Sequence, residues 1–402
     1  MNIAVVWDAD YPWDIRVEKI CRSLIEASHK VNIICRNQQK KSLFEVSNGI
    51  SIHRLPFIAN KKINYIFSFP FFFNPLWLFH IYHITKTEKI ALILVRDLPL
   101  ALTGILIGNI LNIPVILDLA ENYPAMLKDI KKFGQNKFIN FFVRNPFIAS
   151  IIEDIALRSA DGFIVVCDEM KERLINKGVD YKKIVLVHNT PDLKYLYTTI
   201  KPINKSDEEL LRKNFTIIYH GLIGPIRGLE TIIKSLPKLR ETIPELVFLI
   251  IGKGTKEKEL KILSSELGVE DIVLFKGWVD MAQIISYIKI SKIGIIPHIE
   301  TEHTNSTIPN KLFDYMAFGV PVITSASKPM AKIVNTVHCG YVFNSQSIED
   351  LTNKVIKIYK AYDMNDNMMG ENGKKSVRKV FNWEISKANI LKIVDESVRL
   401  TN

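Results

Sequence analysis

No cysteine pair of the CxxC kind occurs in this chain. Its four cysteines, Cys21, Cys35, Cys167 and Cys339, lie far apart. That spacing excludes a disulfide framework and a zinc-ribbon site, and it suits a reducing compartment. A basic leader followed by an apolar run is missing too: Met1 to Trp7 is short, apolar and ends at Asp8. No GxGxxG follows an apolar run, so the dinucleotide fingerprint is absent. Zinc-finger, RNA-recognition and helix-turn-helix signatures are also lacking. The net charge of +11 is spread over both halves and forms no tail. Such an excess suits an anionic substrate or an anionic membrane surface, and no nucleic acid is expected as partner. One uncharged stretch, 63–84, has the length of a membrane span, but Pro70 and Pro75 would break a helix in its middle. It reads as a buried or interfacial aromatic segment.

With 402 residues the chain exceeds one ordinary core, and two domains are expected. Apolar runs at 3–7, 31–35, 91–95, 115–117, 162–166 and 184–187 alternate with helical patterns such as 16–28, 99–111 and 147–159. This alternation describes an open parallel α/β sheet. The polar stretch 196–214 reads as a linker. A second series then begins, with strands expected at 215–219, 246–251, 272–275, 293–296, 320–323 and 340–343, and helices between them. The reading is two doubly wound units in tandem facing each other across a cleft, with domains at 1–195 and 196–382. The last amphipathic stretch, from about 383, packs back on the first domain.

The segment 306–323 is the most informative. Ser306, Thr307, Ile308 and Pro309 lead into an amphipathic helix that ends at Gly319. Thr307 is expected as its N-cap and Pro309 in its first turn. Thr307, Asn310, Lys311 and Asp314 share one arc of the helix. A helix N-terminus with a lysine one turn in suits a diphosphate, and a carboxylate further along suits sugar hydroxyls. Three strand-end turns add to this site: Gly221 to Gly224 with Arg227, then Gly252-Lys253-Gly254, then Gly277-Trp278-Val279. Glycine lets a ligand approach the backbone, arginine grips phosphate in a fork, and Trp278 and Val279 could meet a base. In the first domain, Asp14 and Arg16 follow the first strand, and Asp118, Glu121, Asn122 and Tyr123 follow the strand VILDL. Asp8-Ala9-Asp10 is a DxD, but it lies far in sequence from the phosphate-like turns, so no metal is expected.

Taken in order, these blocks resemble the retaining glycosyltransferases of family 4, which have the GT-B fold of two facing Rossmann-like domains. The blocks are Asp14-Ile15-Arg16-Val17 with His29-Lys30-Val31, Val95 to Pro99, Asp118 to Pro124, Ala160 to Val166, Val187-His188-Asn189, Arg227-Gly228, Ile251 to Gly254, Pro309 to Ile323, Asn372-Gly373 and Phe381 to Glu384. The resemblance implies transfer of a sugar from a nucleotide-diphosphate donor, a UDP-sugar foremost, with no cofactor. Arg227, Lys311, Glu121 and Asp118 would be catalytic. Gly221, Gly224, Gly252, Gly254, Trp278, Val279, Ser306, Thr307, Ile308, Pro309 and Asp314 would bind the donor. Asp14, Arg16, Glu121, Asn122 and Tyr123 would face a glycan or polyprenyl-linked acceptor in envelope, O-antigen or capsule synthesis. The chain departs from the family pattern where paired glutamates become Ser306 and Asp314, and a histidine becomes Ala120. A GT-B nucleotide-sugar epimerase and a catalytically silent sugar-nucleotide-binding subunit are the alternative readings.

Segment 128–144 places Lys128, Lys131, Lys132, Lys137 and Arg144 among Phe133, Phe138, Phe141 and Phe142. Basic and bulky apolar residues interleaved in this way suit an anionic leaflet. The expected location is cytoplasmic and peripheral, on the inner face of the membrane.

Overall fold

The computed structural model of the chain describes residues 1–12, 14–70, 73–133 and 145–399. Lys137, Phe138, Phe141, Phe142 and Arg144 lie outside the described residues. The chain forms two compact units, the second made of Asn189–Trp383 together with a short segment beginning at Asp129. Residues from Glu384 onward belong to the first unit.

The first unit is built on an eight-stranded sheet. Its strands are β1 (Asn2–Asp10), β2 (Lys30–Arg36), β3 (Phe44–Ser47), β4 (Ile50–Arg54), β5 (Leu92–Arg96), β6 (Val115–Leu119), β7 (Gly162–Val165) and β8 (Ile184–Leu186), in the order β3-β4-β2-β1-β5-β6-β7-β8. All pairs are parallel except β3 with β4. β1, β5 and β6 are buried on both faces, and that explains their near-continuous Val, Ile and Leu. The β3–β4 hairpin is an element that apolar periodicity missed. Its signal is Asn48-Gly49: both residues have positive φ, 50° and 79°, as a two-residue type I′ turn requires.

The second unit carries β9 (Phe215–His220), β10 (Leu246–Ile251), β11 (Val273–Gly277), β12 (Ile293–Ile296), β13 (Val322–Ser325) and β14 (Gly340–Phe343), ordered β11-β10-β9-β12-β13-β14 and parallel throughout. Phe215, Ile217, Phe248, Ile250 and Ile293 of the sheet pack with Ile232 and Leu236 of the helix Leu229–Thr242 in one core.

One expectation needs correction. The stretch 196–214 is no bare linker, because it contains the helix Lys205–Lys213, capped by Asn204. Leu211 buries there, and the Asp207 carboxylate accepts from Tyr287 Oη at 2.6 Å and pairs with Lys276. One buried apolar residue and one satisfied carboxylate anchor a helix that composition alone reads as solvent-facing. The uncharged stretch 63–84 falls in two helices, Lys61–Phe67 and Pro75–Thr87. Pro75 begins the second, capped by Asn74, and Trp77 is fully buried with its Nε1 donating to Ser68 O at 3.1 Å. Among the described residues no helix is long and apolar enough to cross a membrane.

The helix Trp383–Arg399 packs on the first unit. Asn389 Nδ2 donates to Leu186 O at 2.8 Å, and Lys387 pairs with Glu26 at 3.0 Å. A Cβ at Gly162 would meet Ile393 at 2.9 Å, so glycine there lets β7 and this helix approach.

Candidate functional site

At the carboxyl ends of the second unit's strands, glycine makes three loops fit together. Gly252 has φ +145°, and a Cβ on it would lie 1.9 Å from Gly221 O. A Cβ on Gly254 would lie 2.0 Å from Ile223 O. The backbone continues the sheet here: Gly221 N–H donates to Ile251 O at 2.9 Å and Gly252 N–H to Gly277 O at 2.7 Å. Gly252 and Gly254 therefore admit the neighbouring backbone, a packing need that by itself accounts for glycine at both positions. Gly221 is different. Its missing side chain faces Lys311, whose Nζ would lie 3.1 Å from a Cβ there. Gly224 begins the 3-10 turn Pro225–Arg227. Gly228, with φ +64°, presses that turn onto Pro297, and Arg227 Nη1 comes to 3.4 Å from His298 Nε2.

The helix Asn310–Ala317 starts later than expected. Its N-cap is Pro309, with no side-chain cap bond, and Thr307 is extended at the end of the 3-10 turn Thr304–Ser306. Ser306 does not face outward: its hydroxyl donates to Glu302 O at 2.8 Å and His303 O at 3.0 Å. Ile308 is buried and Pro309 half-buried. Asn310 of the polar arc is exposed, but Lys311 and Asp314 are not solvated, at 7% and 5% exposure. The helix Met368–Lys379 packs on it from one side and β12 and β13 from another. Lys311 Nζ sits 3.8 Å above the Tyr219 ring. Burial, and then the Arg227 charge, push the Lys311 pKa well below the usual lysine range, while Asp314 pulls the other way.

His220, the last residue of β9, brings its Nε2 to 3.8 Å from Asp314 Oδ2 and stacks edge-on against Tyr315. Burial, then Lys311, lower its pKa to about 3. His298 is held well below its ordinary value by burial, then by Arg227 and Lys311. Both histidines are thus neutral near pH 7. Sequence reading missed them, although each follows an apolar strand at its carboxyl end, where ligands gather in open α/β sheets. Trp278 is 67% exposed and Val279 half-buried, directly after β11. Together Arg227, Lys311, two neutral imidazoles and one carboxylate form a partly desolvated, cation-rich site. Such a site favours a multiply charged anion over water.

The first unit gathers a second polar cluster. Asp118 is fully buried and its carboxylate accepts from Arg16 Nε at 2.9 Å and Nη2 at 2.7 Å. Arg16 is 3% exposed and also donates to Val187 O at 3.0 Å. The two side chains serve each other in the interior of the first unit. Burial would raise the Asp118 pKa, but Arg16 and Arg96 outweigh it and hold it low. Asp14 caps the helix Ile15–Glu26 through Arg16 N and Val17 N. Asn122 is fully buried, and its Oδ1 accepts from Ala125 N–H at 3.3 Å in the first turn of the helix Tyr123–Phe133. Glu121 and Tyr123 stay half-buried. Asp97, absent from the expected site, stands beside them. It has a positive φ of 59°, pairs with Arg96 at 2.9 Å, and accepts from Ala120 N–H at 3.1 Å. Burial pushes its pKa up to about 7 against the pull of Arg96, with Glu121 adding to the rise. Of the DxD, Asp10 accepts the Gln38 and Gln39 N–H groups at 2.8 and 2.7 Å.

Two family profiles match the chain. The one described as Glycosyltransferase Family 4 matches residues 15–195, and the one described as Glycosyl transferases group 1 matches residues 201–376. An uncharacterized glycosyltransferase of Methanocaldococcus jannaschii is 21% identical over 391 residues, 96% of this chain and 95% of that protein. The lipopolysaccharide 1,6-galactosyltransferase of Salmonella typhimurium is 25% identical over 41% of this chain and 43% of that protein. Among solved structures, sucrose-phosphate synthase from Thermosynechococcus elongatus superposes with a TM-score of 0.77 at 17% identity, covering 100% of both chains. HepE from Anabaena in complex with UDP-glucose superposes with a TM-score of 0.70 at 15% identity, covering 98% of this chain and 100% of that one. With the two profiles falling on its two parallel-sheet units, the chain belongs to the GT-B glycosyltransferases of group 1 and family 4.

Proposed function

We propose that the chain transfers a sugar, with retention, from a nucleotide-diphosphate donor to a glycan or lipid-linked acceptor in envelope polysaccharide synthesis. The donor diphosphate binds at Arg227 and Lys311. One observation carries this: a buried lysine amine beside a second cation, with its pKa depressed in the free protein. A diphosphate between them relieves the repulsion. As the leaving nucleoside diphosphate gathers charge, the same two groups and the start of the helix Asn310–Ala317 stabilise it. No metal is needed where these donors neutralise the leaving group. Asp314, beside His220, accepts the donor's sugar hydroxyls. Ser306 carries no charge and bonds within its own turn, so the reaction proceeds without the family's first glutamate. In the first unit, Glu121, Asp97 and Asp14 are acceptor-side carboxyl groups with access to solvent. The UDP and UDP-glucose complexes of HepE support a UDP-sugar. The names of the Salmonella relative and of a putative colanic acid glycosyl transferase of Escherichia coli support an envelope acceptor.

The test is a donor screen. Purified protein is incubated with UDP-, GDP- and dTDP-sugars and lipid extract, and the anomeric configuration of the product is read by NMR. Transfer with retention is expected. Binding of a nucleoside diphosphate without consumption of any donor would replace this reading with a silent sugar-nucleotide-binding subunit.

A further inference from the structure

The loop after β12 is tied together by threonine hydroxyls, which readily bond nearby backbone groups. Thr301 N–H donates to Thr304 Oγ1 at 2.8 Å, and Thr304 N–H donates back to Thr301 Oγ1 at 3.2 Å. Thr304 Oγ1 in turn donates to Ile299 O at 2.9 Å, and Asn305 N–H closes onto Thr301 O at 3.0 Å. The two ends of this loop lead to the two cations of the candidate site. Ile299 N–H donates at 3.0 Å to the carbonyl of Ile226, the chain neighbour of Arg227. Beyond the 3-10 turn Thr304–Ser306 the chain runs through Thr307, Ile308 and Pro309 into the helix that carries Lys311. Whatever fixes Thr301 therefore fixes the path between Arg227 and Lys311.

That fixing comes from a distant part of the chain. Thr301 Oγ1 donates to Asp129 Oδ2 at 2.7 Å, and His303 Nδ1 stands 3.6 Å from the same oxygen. Asp129 lies on the helix Tyr123–Phe133 and belongs to the second unit, as Thr301 and His303 do. It is 8% exposed, and His303 is 5% exposed. A carboxylate leaves water at a high cost and stays buried only where it is bonded. A hydroxyl bond to it is of the strong, short kind. The Thr301 hydroxyl has a single proton. Donated to Asp129, it leaves the oxygen's lone pairs to receive Thr304 N–H. Without the carboxylate the proton turns to Thr304 Oγ1, 3.4 Å away, and the hydroxyl loses its fixed direction.

We propose that Asp129 is a positioning residue for the nucleotide-sugar donor: by holding the Thr301 hydroxyl, it sets the loop that presents Thr307 to Pro309 to the diphosphate. Asp129 acts through Thr301 and needs no contact with the donor itself. This role rests on the diphosphate site proposed above, and the two can fail separately.

The experiment is calorimetric titration of the full chain with UDP and with GDP. Asp129→Ala should weaken nucleoside-diphosphate binding by about tenfold, the effect of losing one buried bond to a charged group. Asp129→Asn keeps an oxygen that accepts from Thr301 and should stay within about threefold of wild type. Thr301→Val removes the hydroxyl at nearly constant shape and should match Asp129→Ala, whereas Thr301→Ser should bind as wild type does. Combining Asp129→Ala with Thr301→Val should weaken binding no further than either alone, because both break the same bond. Thr301→Val also carries the test if Asp129→Ala does not fold. Circular dichroism and thermal unfolding verify the fold of each variant. Unchanged binding in folded Asp129→Ala or Thr301→Val overturns the proposal, whatever happens to the unfolding temperature. So do losses that add in the double variant, and so does an Asp129→Asn protein as weak as Asp129→Ala. A wild type that binds neither nucleotide overturns the diphosphate site, and this role with it.

Discussion

Lys311 is a lysine amine enclosed by an aromatic ring, an arginine and a neutral histidine, and its behaviour follows from that enclosure. Because its pKa is depressed in the free protein, a bound diphosphate should raise it and draw in a proton. Calorimetry of nucleoside-diphosphate binding in buffers of different ionisation heat should show proton uptake at alkaline pH. Lys311→Met should abolish that uptake; uptake that persists in the variant would assign it to another group. Arg227→Ala should lower kcat/KM by roughly 10–1000-fold, the loss expected for one charged donor to a leaving group. Unchanged kinetics in a folded Arg227→Ala protein would remove Arg227 from the site. Asp314→Asn should raise donor KM, and a 2′-deoxy donor should then lose little further affinity; equal discrimination in mutant and wild type would place Asp314 elsewhere. His220 contributes a pH dependence to stability. Its folded pKa, about 3, lies below the ordinary 6.5, so below pH 6.5 the unfolded chain binds a proton that the folded chain refuses. Stability is therefore lost as pH falls from 6.5 towards 3, by about 2 kcal/mol at pH 5 from this one group. His220→Phe should flatten the acid limb of denaturant midpoints measured against pH, and an unaltered limb would contradict the assignment.

Among the elements, the strand-end loops of the second unit depend on glycine for packing. Gly252→Ala places a Cβ against a backbone oxygen at positive φ and should cost about 2–4 kcal/mol by urea denaturation. Gly178→Ala, at φ +90° with nothing within 4 Å, tests the backbone term alone and should cost less. Equal costs would show that the loop contact contributes nothing. In the first unit the buried Arg16–Asp118 pair joins the helix Ile15–Glu26 to β6. Asp118→Ala leaves Arg16 charged and buried and should destabilise by about 3–5 kcal/mol. The turnover per folded molecule should survive if the pair is purely structural, as its mutual bonding in the interior implies. A catalytic collapse in folded protein would restore Asp118 to the catalytic role its position in the sequence suggested.

For the whole molecule, the alternation of apolar runs with helical periodicity was enough to read two parallel α/β units from composition and spacing. A buried parallel strand has to be apolar on both faces, and a doubly wound sheet has to return through a helix. The turn glycines and Arg227 were legible for a related reason, since strand-end positions are where such sheets bind ligands, and Lys311 and Asp314 were legible from the shared arc of one helix. Local sequence also held the Asn48-Gly49 hairpin and the histidines ending FTIIYH and IIPH, though a search for apolar periods passes over them. What periodicity could not decide is how much of a polar side chain stays in contact with solvent. Asp118, inside β6, and Glu121, just past its end, stand three residues apart, yet one is consumed by Arg16 and the other stays partly open. Lys311 and Asp314 sit on an arc that a helical wheel draws as solvated, and they are buried because Tyr219, His220 and Gly221, distant in sequence, face them from the end of β9. Gly252 and Gly254 serve a neighbouring loop that no local reading could have named. Local periodicity determined the elements and their order, because it reflects which side of each element must leave water. The partners of each polar group were decided only by tertiary packing, because those partners come from segments tens to hundreds of residues away.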